Sequence, residues 1–332
     1  MRTTPFRPHE PSYAGVGVTW CRAPLAAEPS DLEGADVVIL GAPFDEGVSN
    51  RPGARFGPRA IRTADDVGAD PNRPSIELGI DPFEVLDIVD YGDALAVPAD
   101  VAQSRRNLVA TLGEIYAAGA IPFVLGGDHS LSASMLEALA TAHGRDGYSV
   151  IHFDTHADTG EPYSGVRESH GTPFRTAVDD GFLDGHNIVQ IGLRGAWPYP
   201  HEFQWMREQG FRWHTMGEID ERGLPAVLDD AIAHAGSRAP RVYLSVDVDV
   251  LDPAYAPGTG TPEPGGLTSR ELLGAVRRVS SELDLAAADV VEVSPPYDPS
   301  GITALVANRV VLDAVTALAL RRSGREARRQ MP

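Results

Sequence analysis

Asp154, His156 and Asp158, at alternate positions in Phe153-Asp-Thr-His-Ala-Asp-Thr159, carry carboxylate oxygens and an imidazole nitrogen, donors that bind first-row metal ions. At this spacing they share one face of an extended chain, or fan around one point where the chain turns. The donor set suits Mn, Fe, Ni or Zn rather than Ca alone. A solvated strand end with ordinary turn aspartates is the alternative, and further ligands decide between the two. Asp247 and Asp249 repeat the spacing in Val246-Asp-Val-Asp-Val250, and no basic residue interrupts the acidic run that ends at Asp252. Carboxylates buried at a strand end need a partner, a hydrogen bond or a metal. Asp252 precedes Pro253, which suits a turn-starting role. His129, behind Gly126-Gly-Asp128, is a further candidate ligand beside the Asp154, His156 and Asp158 triplet: the glycines allow a sharp turn. Asp128 or Ser130 would cap a helix beginning near Leu131, using side chains that leave the imidazole free.

Charge bears on the number of ions. Asp154, Asp158, Asp247 and Asp249 bring four negative charges, while His129 and His156 bind as neutral imidazoles. Two divalent cations balance that set. Two metals about 3.5–4 Å apart with shared carboxylates form a hydrolytic arrangement that lowers the pKa of a bridging water.

Such a cluster must be held at the ends of strands. Apolar runs of strand length occur at 36–41, 85–89, 121–125, 148–153, 188–192, 211–215, 242–246 and 290–293. Between most of them lie amphipathic segments of helical length, at 101–117, 131–142, 200–209, 224–235, 269–282 and 303–321. Alternation of this kind predicts a mostly parallel sheet covered by helices on both faces. Eight units fit a closed barrel or an open doubly wound sheet, and both place a site at the carboxyl ends of the strands. Each candidate ligand follows one of these runs.

Composition narrows the partners. With 28 Lys+Arg against 47 Asp+Glu, affinity for nucleic acid or an anionic membrane is not expected, whereas a cationic substrate would be drawn in. No apolar run approaches the roughly 18 residues of a membrane span, and the first residues lack the apolar stretch of a signal peptide, so a cytoplasmic protein is expected. Cys21 is the sole cysteine, so any metal must sit on O and N ligands. No linker divides the chain: residues 1–31 read as an arm that packs on the surface or on a neighbouring subunit, and 32–332 as one catalytic domain.

Gly126-Gly-Asp-His-Ser130, Asp154-Thr-His-Ala-Asp158 and Ser245-Val-Asp-Val-Asp-Val-Leu-Asp-Pro253 resemble, in order and separation, the three metal-binding motifs of the ureohydrolases, the family of arginases and agmatinases. The likeness extends to Gly41-Ala-Pro-Phe-Asp45, Arg51–Arg62, Ala256–Pro262 and Val291-Glu-Val-Ser-Pro295. It implies a single domain with an open three-layer α/β/α sandwich around an eight-stranded mostly parallel sheet, and two Mn2+ ions, with Ni2+ as an alternative. One ion would be held by His129, Asp154, Asp158 and Asp247, the other by Asp154, His156, Asp247 and Asp249. Most relatives read Asp-Ala-His where this chain has Thr155, a change that touches no ligand.

The resemblance further implies that Asp158 hydrogen-bonds the attacking hydroxide, that Glu292 holds the guanidinium, and that His170 passes a proton to the leaving amine. The residues alone would make Glu292 a buried, satisfied glutamate and His170 an ordinary loop histidine. Relatives of this type assemble as homotrimers or homohexamers. Substrate choice would lie in the loops 159–169 and 194–201, where Arg194 and Trp197 are candidate substrate contacts and Trp197 with Tyr199 could wall the pocket. Arginases carry an acidic residue after their Gly-Leu-Arg segment; Gly195-Ala196 stands there here. Glu161 or Glu168 would suit the second cation of agmatine, and Arg167, Arg175 or Arg194 a guanidino acid. An agmatinase-like activity is expected, with guanidinobutyrase, guanidinopropionase or guanidine hydrolase next and formiminoglutamase or a non-catalytic relative behind them.

Overall fold

Val37–Ala42 (β1) is buried at every position, with Val37 and Ile39 in one apolar cluster and Val38, Leu40 and Ala42 in another. A strand whose alternate side chains enter two cores lies in a sheet covered on both faces. In the computed structural model, which describes residues 18–64, 73–162 and 165–325, seven more strands follow: Ile88–Asp93 (β2), Ile121–Gly126 (β3), Tyr148–Phe153 (β4), Ile188–Leu193 (β5), Arg212–Thr215 (β6), Arg241–Asp247 (β7) and Leu285–Val291 (β8). All pairings are parallel, in the order β2-β1-β3-β8-β7-β4-β5-β6. The sheet has two edges, so it is the open form and not the barrel.

The helices are Gly57–Thr63 (α1), Val101–Ala117 (α2), Ser132–His143 (α3), Pro173–Asp179 (α4), Pro200–Gln209 (α5), Met216–Arg222 (α6), Leu224–Arg238 (α7), Ser269–Glu282 (α8) and Ile302–Ser323 (α9). Apolar residues of α1, α7, α8 and α9 join one core and those of α2, α3, α4 and α5 the other. Local signals start several of them. Asp100 accepts from Gln103 N ahead of α2, and Thr268 with Glu271 forms a capping box ahead of α8. Helix α9 is long and apolar enough to cross a membrane, but 83% of its most apolar window is buried in the fold, where it packs on α8.

Two strands differ from the expected runs by more than one residue at an end. A 3-10 turn at Pro82–Glu84, capped by Asp81, holds Val85 and Leu86 out of β2, which begins at Ile88. β8 begins at Leu285 because the weakly apolar Ala286–Ala288 are buried strand residues, and it stops at Val291 because Glu292 takes a φ of +66°. The seven-residue helices α1, α4 and α6 are too short to show a period. Of the expected arm, residues 1–17 lie outside the described residues; from there on Trp20, Cys21 and Ala23 pack into the first core.

Strand order is what positions the site. β3, β8, β7 and β4 are neighbours at the centre of the sheet, so the residues following them meet although they come from distant parts of the chain. The carboxyl edge of such a sheet is where α/β folds build their crevices.

Candidate metal centre and its cavity

The turn after β3 is tight because two backbone segments touch. A Cβ on Gly127 would stand 2.2 Å from Phe44 O and 2.5 Å from Ala42 O, and one on Gly126 would stand 2.7 Å from Val291 Cγ1. Neither glycine has a positive φ, so close approach, not a left-handed turn, requires them. Asp128 caps the turn by accepting from Ser130 N at 2.9 Å, and it also accepts from Gly47 N at 2.8 Å. His129 is thereby delivered, 1% exposed, to the end of β4.

His129 Nδ1 lies 3.1 Å from Asp154 Oδ2, 2.9 Å from Asp158 Oδ2 and 3.2 Å from Asp247 Oδ2, and this buried atom makes no well-formed hydrogen bond. An imidazole nitrogen offers one proton at most, which cannot serve three carboxylates. A cation among them satisfies all four groups. Beside this cluster, His156 Nδ1 lies 3.1 Å from Asp249 Oδ2 and 3.5 Å from Asp154 Oδ1. Asp154 therefore faces both histidines. All six side chains singled out as ligands converge, and their chemistry fits divalent metal.

The electrostatics of the cluster favour a cation among these groups. Burial first, then the carboxylates of Asp249 and Asp154, raises Asp247 well above the usual carboxylate range; burial and Asp154 push Asp249 up to about 6. Burial works against the imidazolium of His129 and His156, but the surrounding carboxylates outweigh it and raise both. Asp154 goes the other way: burial would raise it, but His152, His129 and His156 together hold it well below the usual range.

Backbone conformation is unusual at two of these positions. Asp158 and Glu292 have φ of +52° and +66°, a strained choice for residues other than glycine that costs about 1–3 kcal/mol each. Glu292 Oε1 accepts from His129 N at 2.8 Å and lies 3.1 Å from His170 Nδ1, while its Oε2 is buried with no partner. His170 Nε2 faces Ser49, 3.1 Å from its N and 2.7 Å from its Oγ. Burial opposes the imidazolium of His170, the Glu292 charge outweighs it, and the pKa is pushed up to about 9. Ser49 N–H, a donor aimed at Nε2, favours the neutral ring. His170 is thus drawn in both directions, as a group that gives and takes a proton should be.

A cavity of about 440 Å³ opens over these groups, lined among others by Ser49, Asp158, His170, Trp197, Glu161 and Glu292. Trp197 forms a wall: its indole lies where a Cβ on Gly160 or Gly171 would come within 3.0 or 3.2 Å, and its ring centroid is 5.9 Å from that of His156. Tyr199 lines the same cavity.

Arg194 is not brought to the cavity. Its guanidinium donates to the carbonyls of Asp249 at 2.7 Å, Glu263 at 2.6 Å, Pro264 at 3.0 Å and Val250 at 3.1 Å, tying the loop after β7 to residues 263–264. The expected substrate contact is a clamp on the loop that carries Asp249 instead. Arg194→Ala should lower stability by about 2–5 kcal/mol, since several carbonyls lose donors at about 1–3 kcal/mol for each left buried. Arg194→Lys should not restore it, because one ammonium cannot span the fork. An unchanged denaturation midpoint in Arg194→Ala would refute the clamp.

Of the other charged candidates, Glu168 is held by Arg105, and Arg167 lies 2.6 Å from Asp180. Arg175 donates to Thr159 O and stacks on Trp205, with its Cζ 4.5 Å from the ring centroid. Glu161 alone of the five lines the cavity, with its carboxylate 3.4 Å from Arg175 Nη2. Residues 163–164 of that loop lie outside the described residues.

Four supporting residues escaped the sequence reading. His152, two residues before Asp154 on β4, lies with Nε2 2.9 Å from Asp154 Oδ2 and Nδ1 3.0 Å from Gln190 Nε2. Gln190 Nε2 is a donor, so His152 Nδ1 accepts and its Nε2–H donates to Asp154. Ser245 Oγ lies 3.0 Å from His129 Nε2 and donates to Asp289 at 2.8 Å, which leaves Nδ1 of His129 facing the carboxylates. The period-two placement of His152 behind Asp154 was a usable signal. Nothing local marks Gln190 or Asp289, whose partners come from other strands.

Comparison with known proteins adds ancestry. The model of the arginase family matches residues 35–317. Proclavaminate amidinohydrolase of Streptomyces clavuligerus is 42% identical, over 90% of this chain and 92% of its own length. Its solved structure gives a TM-score of 0.86, covering 94% of this chain and 100% of that one. A mitochondrial agmatinase of Gallus gallus is 40% identical, over 87% of this chain and 83% of its own. A formiminoglutamase of Trypanosoma cruzi, solved with Mn2+, is 28% identical with a TM-score of 0.80, over 89% of this chain and 96% of that one.

Proposed function

Because the chain belongs to the arginase family, we propose that it is a two-metal hydrolase that cleaves a guanidino compound, agmatine or a close analogue, into urea and an amine. The convergence of three carboxylate oxygens on His129 Nδ1, beside a buried, partnerless Glu292 Oε2, carries this reading. His129, Asp154, Asp158 and Asp247 would hold one ion, and Asp154, His156, Asp247 and Asp249 the other. Manganese is the proposed metal, supported by the T. cruzi relative. When bound, the ions supply a water of lowered pKa as nucleophile.

The chain's own residues do the rest. Glu292 Oε2 accepts from the guanidinium and orients its carbon, a charge-assisted contact with geometric specificity. Asp158 holds the attacking oxygen by a hydrogen bond, and Trp197 keeps water from the adjoining wall. His170 supplies the proton that lets the amine leave. Glu161, whose carboxylate also lies 3.4 Å from Arg175 Nη2, provides the anionic contact for the tail, and no Arg or Lys lines the cavity among the described residues. That lining supports a cationic tail over a carboxylate one.

Urea release by the Mn-loaded protein against agmatine, arginine, 4-guanidinobutyrate, 3-guanidinopropionate and guanidine tests the reading. Agmatine should dominate. A dominant guanidino acid would overturn the role of Glu161 while leaving the chemistry intact, and silence on the whole panel would overturn the chemistry.

Metal removal has a pH signature. His129, His156, Asp247 and Asp249 all bind protons more readily folded than unfolded, so in chelator-stripped protein stability falls as pH rises. For Asp249 the fall spans the ordinary 3.8 to about 6, and for the histidines it begins near 6.5 and continues upward. Asp154, with its lowered pKa, has the opposite sign and acts at the acid end. The gain in Tm on adding Mn2+ should therefore be larger at pH 8 than at pH 5.5. An equal gain at both would contradict the electrostatics described above.

A further inference from the structure

Each ring nitrogen of His170 already has a partner. Ser49 N–H lies 3.1 Å from Nε2. A backbone amide is only a donor, so the Nε2 that receives it carries a lone pair. The ring proton is then on Nδ1, where Glu292 Oε1 accepts it at 3.1 Å. A histidine held this way cannot hand a proton straight to a leaving amine. One group touches Nε2 and also lines the cavity: the Ser49 hydroxyl, 2.7 Å from the ring nitrogen.

Ser49 is exposed, but the segment that carries it is anchored. Gly47 O accepts from His170 N at 3.0 Å, and Gly47 N donates to the buried Asp128 at 2.8 Å. A Cβ on Gly47 would come within 3.0 Å of both Asp128 and Ser130, so the segment packs directly on the turn that carries His129. Gly53 N and Arg55 are fixed to Asp45 at the other end of the loop. The loop is anchored on either side of residue 49.

We propose that Ser49 is a further catalytic residue, whose hydroxyl relays the proton between His170 Nε2 and the leaving nitrogen of the substrate. The proposal rests on the reading of the site as a guanidino hydrolase. As the tetrahedral carbon collapses, its C–N bond breaks with the electron pair passing to the leaving nitrogen. The hydroxyl proton on that carbon passes to Ser49 Oγ as the serine's own proton passes to the lone pair of His170 Nε2; the same hydroxyl then gives a proton to the leaving nitrogen and takes one back from Nε2–H, so the serine ends unchanged and the imidazole neutral with its proton on Nδ1. The oxygen stays on the carbon as the carbonyl of urea, and the amine is free to depart. A water replaces the nucleophile and yields one proton to the departing amine, which leaves as the ammonium.

Ser49→Ala keeps the backbone N–H and removes only the relay. In the metal-loaded enzyme it should lower kcat on the order of 10²-fold, the usual contribution of a general acid, with KM changed less than about twofold and metal content unchanged. Ser49→Thr, which keeps a hydroxyl, should recover most of the loss. Independently of any substrate, ¹⁵N NMR of the resting enzyme should find the His170 proton on Nδ1. An Ala variant with wild-type kcat, a loss confined to KM, or a resting proton on Nε2 would each overturn the relay. Wild-type protein that releases no urea from the whole panel would overturn the functional reading instead, and the relay with it.

Discussion

Asp154→Asn should leave the protein folded but with less than one of the two proposed metal ions, and should cut urea release by roughly 10³-fold or more. The expectation follows from position: Asp154 Oδ2 lies 3.1 Å from His129 Nδ1 and Oδ1 lies 3.5 Å from His156 Nδ1, so it is the carboxylate that faces both halves of the cluster. An amide of the same shape offers a neutral oxygen and an N–H where a cation has to sit. Metal-based stabilisation of the transition state amounts to several kcal/mol, and each 1.4 kcal/mol is a factor of ten in rate. Metal analysis after dialysis, beside a melting curve to establish folding, reads the result. Two ions retained with undiminished turnover would remove Asp154 from the site.

The second large effect is expected at Glu292. Glu292→Gln preserves the side chain's shape and its bond from His129 N, but it removes the charge at the partnerless Oε2. Truncating one side of a buried, hydrogen-bonded charge pair costs about 2–5 kcal/mol. kcat/KM should accordingly fall roughly 30-fold to several thousand-fold. Metal content should stay at the wild-type level, because Glu292 faces the substrate side of the cluster. Loss of metal in Glu292→Gln would make it part of the metal cage, and retained activity would return it to the role of a satisfied structural glutamate.

Placed together, these residues show which features could be read before any fold was known. Donor types and period-two spacing are local properties, so Asp154, His156, Asp158, Asp247 and Asp249 were legible as candidate ligands, and His129 as a further candidate in a turn beside a capping aspartate. Strand ends were legible for the same reason, since a run such as Val37–Ala42 is apolar throughout when both of its faces are covered. Legibility failed where a segment's partners, and not its own composition, settle its state. Ala286–Ala288 form a strand because β3 and β7 flank them. Arg194 looked like a ligand for a substrate carboxylate until the carbonyls of the loop after β7 were seen to enclose it.

The sequence by itself determined the metal-binding chemistry, the alternation of strand and helix, and the family likeness of the three motifs, because each depends on residues within a few positions of one another. The tertiary structure decided the open sheet over the barrel, the order β3-β8-β7-β4 that gathers the ligands, and the place of Glu161 alone among the charged candidates at the cavity. It also decided that Ser49 meets His170 across 121 positions of chain. Contacts of that span arise from the order in which strands pair and from which loops lie over their ends, and a local pattern of residue types carries no record of either.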